Sequence, residues 1–96
     1  MTFSVTGPSV YPSAAYIPFN QGPTAATITV HRVGVLPEDG VTCYVQFGFG
    51  PPCRWGDYSA ATSDGNGHIV IGDELITDNA RDPLGNWNTY VAAIKP

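Results

Sequence analysis

Apolar positions along this chain never hold a helical spacing for long. No window of about 11 residues keeps them at i, i+3 and i+4 without a Gly, a Pro or a β-branched cluster intervening. Short β-type runs recur instead, at 2–5, 14–19, 26–33, 41–47, 58–62, 68–71 and 89–94. Their Val, Ile, Thr, Tyr and Phe content suits a pleated, half-buried surface, and about seven strands are predicted. Within 26–33, Thr27, Thr29 and His31 alternate with Ile28, Val30 and Arg32. That pattern fits an antiparallel strand with one buried face and puts His31 at the surface or on an edge.

Turn chemistry separates the runs: Gly7-Pro8, Asn20-Gln21-Gly22-Pro23, Pro37-Glu38-Asp39-Gly40, the stretch 48–52, Asp64-Gly65-Asn66-Gly67, and Pro83-Leu84-Gly85-Asn86. The clearest hairpin spans 60–71, where Asp64-Gly65-Asn66-Gly67 supplies positions that tolerate positive φ between two β-prone arms. An offset of about 46 residues, within the spacing of propeller blades, superimposes Phe3, Ser13, Ala14, Ala15, Asn20, Pro37, Tyr44 and Val45 on identical residues. The expected fold class is all-β, with antiparallel sheets.

At 96 residues the chain has room for one small domain, 1–96. Charged residues are 12% of the chain, about half the usual share, and 11 Gly with 9 Pro make it loop-rich. A net charge of −4 offers no basic surface for phosphate backbones or anionic lipid, so neither nucleic acid nor membrane is an expected partner. No apolar run approaches the ~20 residues that span a bilayer. The stretch MTFSVTGPSV has neither the basic start nor the apolar core of a signal peptide, and the chain is expected to be soluble.

Cys43 and Cys53 are the only cysteines. In an exported protein they can close a loop of about eleven residues as a disulfide worth roughly 2–3 kcal/mol; in the cytosol they are reduced thiols, one of them buried. Low charge and loop-rich composition favour the bridge. His31, Cys43, Cys53 and His68 contain no close pair of the kind structural zinc sites show, so no metal is expected. Asp64 begins like a calcium loop, but the twelfth position is Leu75 where a bidentate Glu is required. A turn that caps its own backbone is the better account of Asp64.

Asp57, Asp73 and Glu74 can supply the paired carboxylates of glycoside cleavage if the fold sets two of them across a cleft. No Gly-rich loop precedes a helix and no Ser occupies a nucleophile-elbow context, so no cofactor and no phosphoryl or acyl transfer is implied. The densest unusual cluster is Arg54-Trp55-Gly56-Asp57-Tyr58, with Trp87 further on. One reading is a sugar-facing platform, where rings stack on apolar sugar faces and Arg54 and Asp57 bond hydroxyls or a carboxylate. The other is an internal brace, in which Arg54 and Asp57 pair while Trp55, Tyr58 and Trp87 fill the core. A brace would make Arg54→Ala cost on the order of 2–4 kcal/mol.

RWGDYSAATSD, then HIVIGDEL and NWNTYVAAIKP, resemble the final part of a family of secreted bacterial β-propellers related to sialidase-like Asp-box repeat proteins. Residues 54–59 are similar to the family's Arg-Trp-Gly-Asp-Tyr strand, Asp73-Glu74-Leu75 to its strand ending in Asn-Glu-Tyr, and Asn86-Trp87-Asn88-Thr89 to its Asn-Trp-Gly-Thr. The stretch 3–16 resembles the preceding blade. In the Asp-box pattern S-x-D-x-G-x-x-W, Thr62 and Asp64 fit, while Asn66 replaces Gly and Ile69 replaces Trp. No sialidase catalytic pattern is recognisable, and that activity is not carried over.

The resemblance implies sheets of the propeller-blade type, about one and a half to two blades, with a small β-sandwich as the alternative. It implies a non-catalytic structural or recognition part of an extracellular propeller-like protein. The alternatives are a part of a glycan-processing hydrolase, with Asp57, Asp73 and Glu74 as the acids, and a small carbohydrate-binding module. Missing blades, self-association that covers open blade edges, and a glycan are the partners this reading implies.

Overall fold

The computed structural model describes residues 1–19, 27–77 and 85–95, and its regular structure there is two antiparallel three-stranded sheets. The first holds β1 (Thr2–Gly7), β2 (Val10–Tyr16) and β3 (Thr29–Arg32) in that order. The second holds β4 (Ala60–Ser63), β5 (Ile69–Leu75) and β6 (Asn88–Ile94). Each is a meander, its first two strands joined by a short turn and its third reached by a longer connection.

The hairpin at Asp64 forms with the expected arms, pairing Ser63 with Ile69 and Ala60 with Gly72. Gly65 (φ 78) and Gly67 (φ 87) take the left-handed backbone the turn requires. Asp64 caps it: Oδ1 accepts from Asn66 N at 2.7 Å and His68 N at 3.1 Å, and Oδ2 lies 2.9 Å from His68 Nδ1. The Asn66 amide, then the His68 amide, hold the Asp64 carboxyl below its ordinary pKa. A depressed folded pKa makes this turn's contribution to stability fully present above the ordinary aspartate pKa and lost as pH falls through the folded value. An NMR titration of the Asn66 and His68 amides is therefore expected to show a midpoint below the ordinary aspartate range; a midpoint within it would disprove the cap.

Between the sheets, β2 and β1 lie against β5 and β1 reaches β4. Ala14, Ala15, Ile71, Leu75 and Ile76 form the fully covered apolar core. Alanine on β2 lets the two layers approach closely. Past β5, Ile76 N donates to Pro12 O at 3.2 Å and Val35 N donates to Ile76 O at 2.9 Å, so the second sheet's exit strand is stitched to the first sheet. On the far side, His31 of β3 meets Tyr90 of β6, with Nδ1 3.0 Å from the phenol oxygen. His31 thus sits on an edge strand as its alternation implies, half-buried by that contact.

Several expectations change. The run 14–19 becomes the end of a strand that starts earlier, at Val10, because β2 takes its register from β1 across the Gly7-Pro8 turn. The run 41–47 is not a strand. It folds as two 3₁₀ turns, Val41–Cys43 and Val45–Phe47, whose N–H groups bond locally: Cys43 N to Gly40 O and Phe47 N to Tyr44 O. Its Cys43 is bridged to Cys53, with the Cα atoms 4.7 Å apart, so the segment closes on its own downstream neighbour. The offset of about 46 residues has no structural counterpart, since the topology aligns β1 with β4, Thr2 opening one and Ala60 the other. Each sheet has three strands among the described residues, against four in a propeller blade.

Candidate functional site

The segment after Cys53 is tied down at successive points. Thr42 Oγ1 donates to Arg54 O at 2.6 Å, Gly56 N donates to Glu74 Oε2 at 3.1 Å, and Ser59 Oγ donates to Thr2 O at 2.9 Å. The disulfide anchors its start. These ties run the Arg54-to-Tyr58 backbone along the end of β5 and leave its side chains to line one open cleft.

That cleft has a volume of about 320 Å³, within the range of small-molecule sites, and it gathers Arg54, Trp55, Asp57, Tyr58, Glu74 and Trp87 with Thr42 and Phe49. Trp87 comes from the chain entering β6. It stands on Gly85, where an added Cβ would lie 3.1 Å from the indole. The preceding residue is an anchor: Asn86 is 2% exposed, and its Nδ2 donates to Pro37 O at 3.0 Å and to Asp39 Oδ1 at 2.7 Å. Phe49 and Thr42 escaped the sequence reading because they lie in stretches that read as turn or strand; only the aromatic character of Phe49 was a usable signal.

The charged pair of the brace reading lies open to solvent. Arg54 and Asp57 do pair, at 3.1 Å, but their side chains are 72% and 52% exposed. An exposed ion pair in high dielectric is worth little. Arg54→Ala is expected to change folding stability by no more than ~0.5–1 kcal/mol in urea denaturation; a loss above that range would put the guanidinium back in a buried role. Nor do the rings fill the core, since Tyr58 is 82% and Trp87 44% exposed, with Trp55 half-buried.

The three candidate acids separate. Asp57 and Glu74 line the cleft, Asp57 bonded to Arg54 and Glu74 to the Gly56 amide. Asp73 points to the other side of β5 and is 2% exposed, accepting from Ser4 Oγ at 2.7 Å, Thr2 Oγ1 at 3.2 Å and Glu74 N at 2.9 Å. It faces the sheet interface and pins β1 to β5. Cys43 and Cys53 are consumed by their bridge, and no group of three or more His, Cys, Asp or Glu gathers as a metal site among the described residues.

An open cleft with several rings on its walls and charged hydrogen-bonding groups between them suits a ligand with both apolar faces and hydroxyls. No family model, no curated protein and no solved structure matches the chain.

Proposed function

We propose that this chain is a non-catalytic recognition module that binds a glycan in the cleft bounded by Trp55, Tyr58 and Trp87. The observation that carries the reading is the exposure of Tyr58 and Trp87 beside polar groups already oriented by the fold. A purely structural aromatic cluster would be covered, because burying a ring is what stabilises the protein. Here Tyr58 and Trp87 stay open, Glu74 is held by Gly56 N and Asp57 by Arg54. Pre-oriented groups of this kind reduce the ordering cost of binding.

The setting we infer is extracellular. The Cys43–Cys53 disulfide favours an oxidising compartment, and no helix among the described residues is long and apolar enough to cross a membrane. The likeness of residues 54–59 and 86–89 to Asp-box propeller termini supplies the larger context, a recognition or structural part of a propeller-like protein.

Titration of the intrinsic Trp fluorescence with a panel of neutral and acidic oligosaccharides tests the reading. At least one glycan should shift the emission, and Trp87→Ala should abolish that response without altering the far-UV spectrum. A flat response to the whole panel at millimolar glycan would refute it. A hydrolase reading rests on Asp57 and Glu74 sharing the cleft, and predicts turnover that Glu74→Ala removes; unchanged glycan after prolonged incubation counts against it.

A further inference from the structure

Four strands form the margins of the sheets: β1 and β3 of the first, β4 and β6 of the second. Three carry the features with which proteins blunt an edge. The pairing of β1 shifts register between Val5 and Gly7, β3 is four residues long and bears Arg32, and β4 is four residues long. β6 carries none. Its seven residues, Asn88-Thr89-Tyr90-Val91-Ala92-Ala93-Ile94, contain no charge and no Pro. They pair with β5 without a break from Leu75↔Asn88 to Ile69↔Ile94. Among the described residues no strand lies on the other side of β6, and Val91 at its centre is 65% exposed.

We propose that β6 is the self-association edge of this protein: a second copy adds its own β6 antiparallel across a two-fold axis at Val91, joining two three-stranded sheets into one. The inference is independent of the glycan reading, and its register follows from symmetry. A two-fold axis normal to the sheet keeps each side chain on its own face, so a residue can sit opposite only itself or a residue an even number of positions away. Full overlap of β6 with its copy then centres on residue 91 and sets Val91 opposite Val91 of the second copy. Thr89 falls opposite Ala93, Tyr90 opposite Ala92, and Asn88 opposite Ile94.

This register is self-complementary. On one face bulky Tyr90 meets small Ala92, and Ile94 meets Asn88 at the ends of the overlap. On the other face two β-branched valines meet at the axis with Thr–Ala pairs beside them, the kind of cross-strand contact that stabilises a sheet. Moving the axis to residue 90 sets Tyr90 opposite its own copy and leaves Ala93 and Ile94 without partners in β6. The strand itself carries no charge, so no like-charged side chains of β6 face each other across the axis. A second copy is thus the occupant for which this edge has a matched register, whereas an unrelated strand would have no such requirement for Ala opposite Tyr90.

Cysteine crosslinking tests the register directly. The protein's own cysteines are bridged, so an introduced thiol is the only free one. In an antiparallel ladder, opposite Cα atoms lie about 4.5 or 5.5 Å apart, and either spacing admits a disulfide. Val91→Cys in the full chain is expected to give a covalent dimer under mild oxidation, at least tenfold faster than Ala60→Cys on β4. Wild-type protein is expected to show dimer mass by light scattering. Val91→Lys, and independently Ala93→Lys should the first variant lose its β spectrum, should return monomer. A monomeric wild type, a Val91→Cys crosslink no faster than that of Ala60→Cys, or a dimer that survives both lysine variants would overturn the proposal.

Discussion

Replacing Gly34 by Ala is expected to lower the melting temperature by more than about 12 °C. At Gly34 an added Cβ would fall on the Pro12 carbonyl, with Pro12 C at 2.8 Å and Ile76 O at 3.3 Å. Every one of these neighbours is backbone, so none can rotate aside. Three chain segments cross at this point. Gly34 N donates to Ser13 Oγ at 2.8 Å, Val35 N to Ile76 O at 2.9 Å, and Ile76 N to Pro12 O at 3.2 Å. Opening room for a methyl group must stretch one or more of those bonds, which tie the two sheets together. Overpacking plus a lost buried hydrogen bond costs on the order of 3 kcal/mol. Thermal unfolding followed by far-UV circular dichroism reads the shift, with Gly7→Ala as the comparison because nothing lies within 4 Å of its added Cβ. A fall in melting temperature below about 4 °C for Gly34→Ala would show that the crossing yields.

The second large effect is expected at Asp73. Asp73→Ala removes the acceptor shared by Ser4 Oγ, Thr2 Oγ1 and Glu74 N, on a side chain that is 2% exposed. The two hydroxyls retain fallback acceptors, Glu74 O at 3.0 Å and Ala15 O at 3.1 Å. The Glu74 amide loses its carboxylate bond. Together with the void left by the carboxylate, the loss is expected to be about 2–3 kcal/mol, read as a lower urea midpoint. Asp73→Asn, which keeps the volume and one acceptor oxygen, should lose about half as much. Equal losses for the two variants would mean that the charge, and not the hydrogen-bond geometry, holds β1 on β5; a loss below ~0.5 kcal/mol for Asp73→Ala would mean that neither does.

Much of the strand pattern was legible because period-two alternation and turn chemistry are local. Residues 60–71 announced their hairpin through Asp64-Gly65-Asn66-Gly67, and the structure pairs Ala61 with Ile71 within it. The run 41–47 misled for the converse reason. Val41, Tyr44, Val45 and Phe47 have strand propensity, but a strand exists only beside another, and this segment closes through its disulfide onto residue 53. The site divides in the same way. Arg54 and Asp57 are spaced to meet and do, yet their spacing says nothing of the solvent that surrounds them. Trp55 and Tyr58 stood out as neighbours in sequence, whereas their convergence with Glu74 and Trp87 required the β5–β6 ladder to form.

The sequence by itself determined the all-β class, the hairpin turn and the aromatic and acidic residues available to a site, because those depend on propensities over a few neighbouring positions. Only the tertiary structure decided which acid is buried and which is open. Ser4 and Thr2 reach Asp73 across separations of 69 and 71 residues, while the adjacent Glu74 faces the cleft. Alternation along β5 sends the two neighbours to opposite faces, but which face is covered depends on the remote strand that packs there, and no local pattern encodes that.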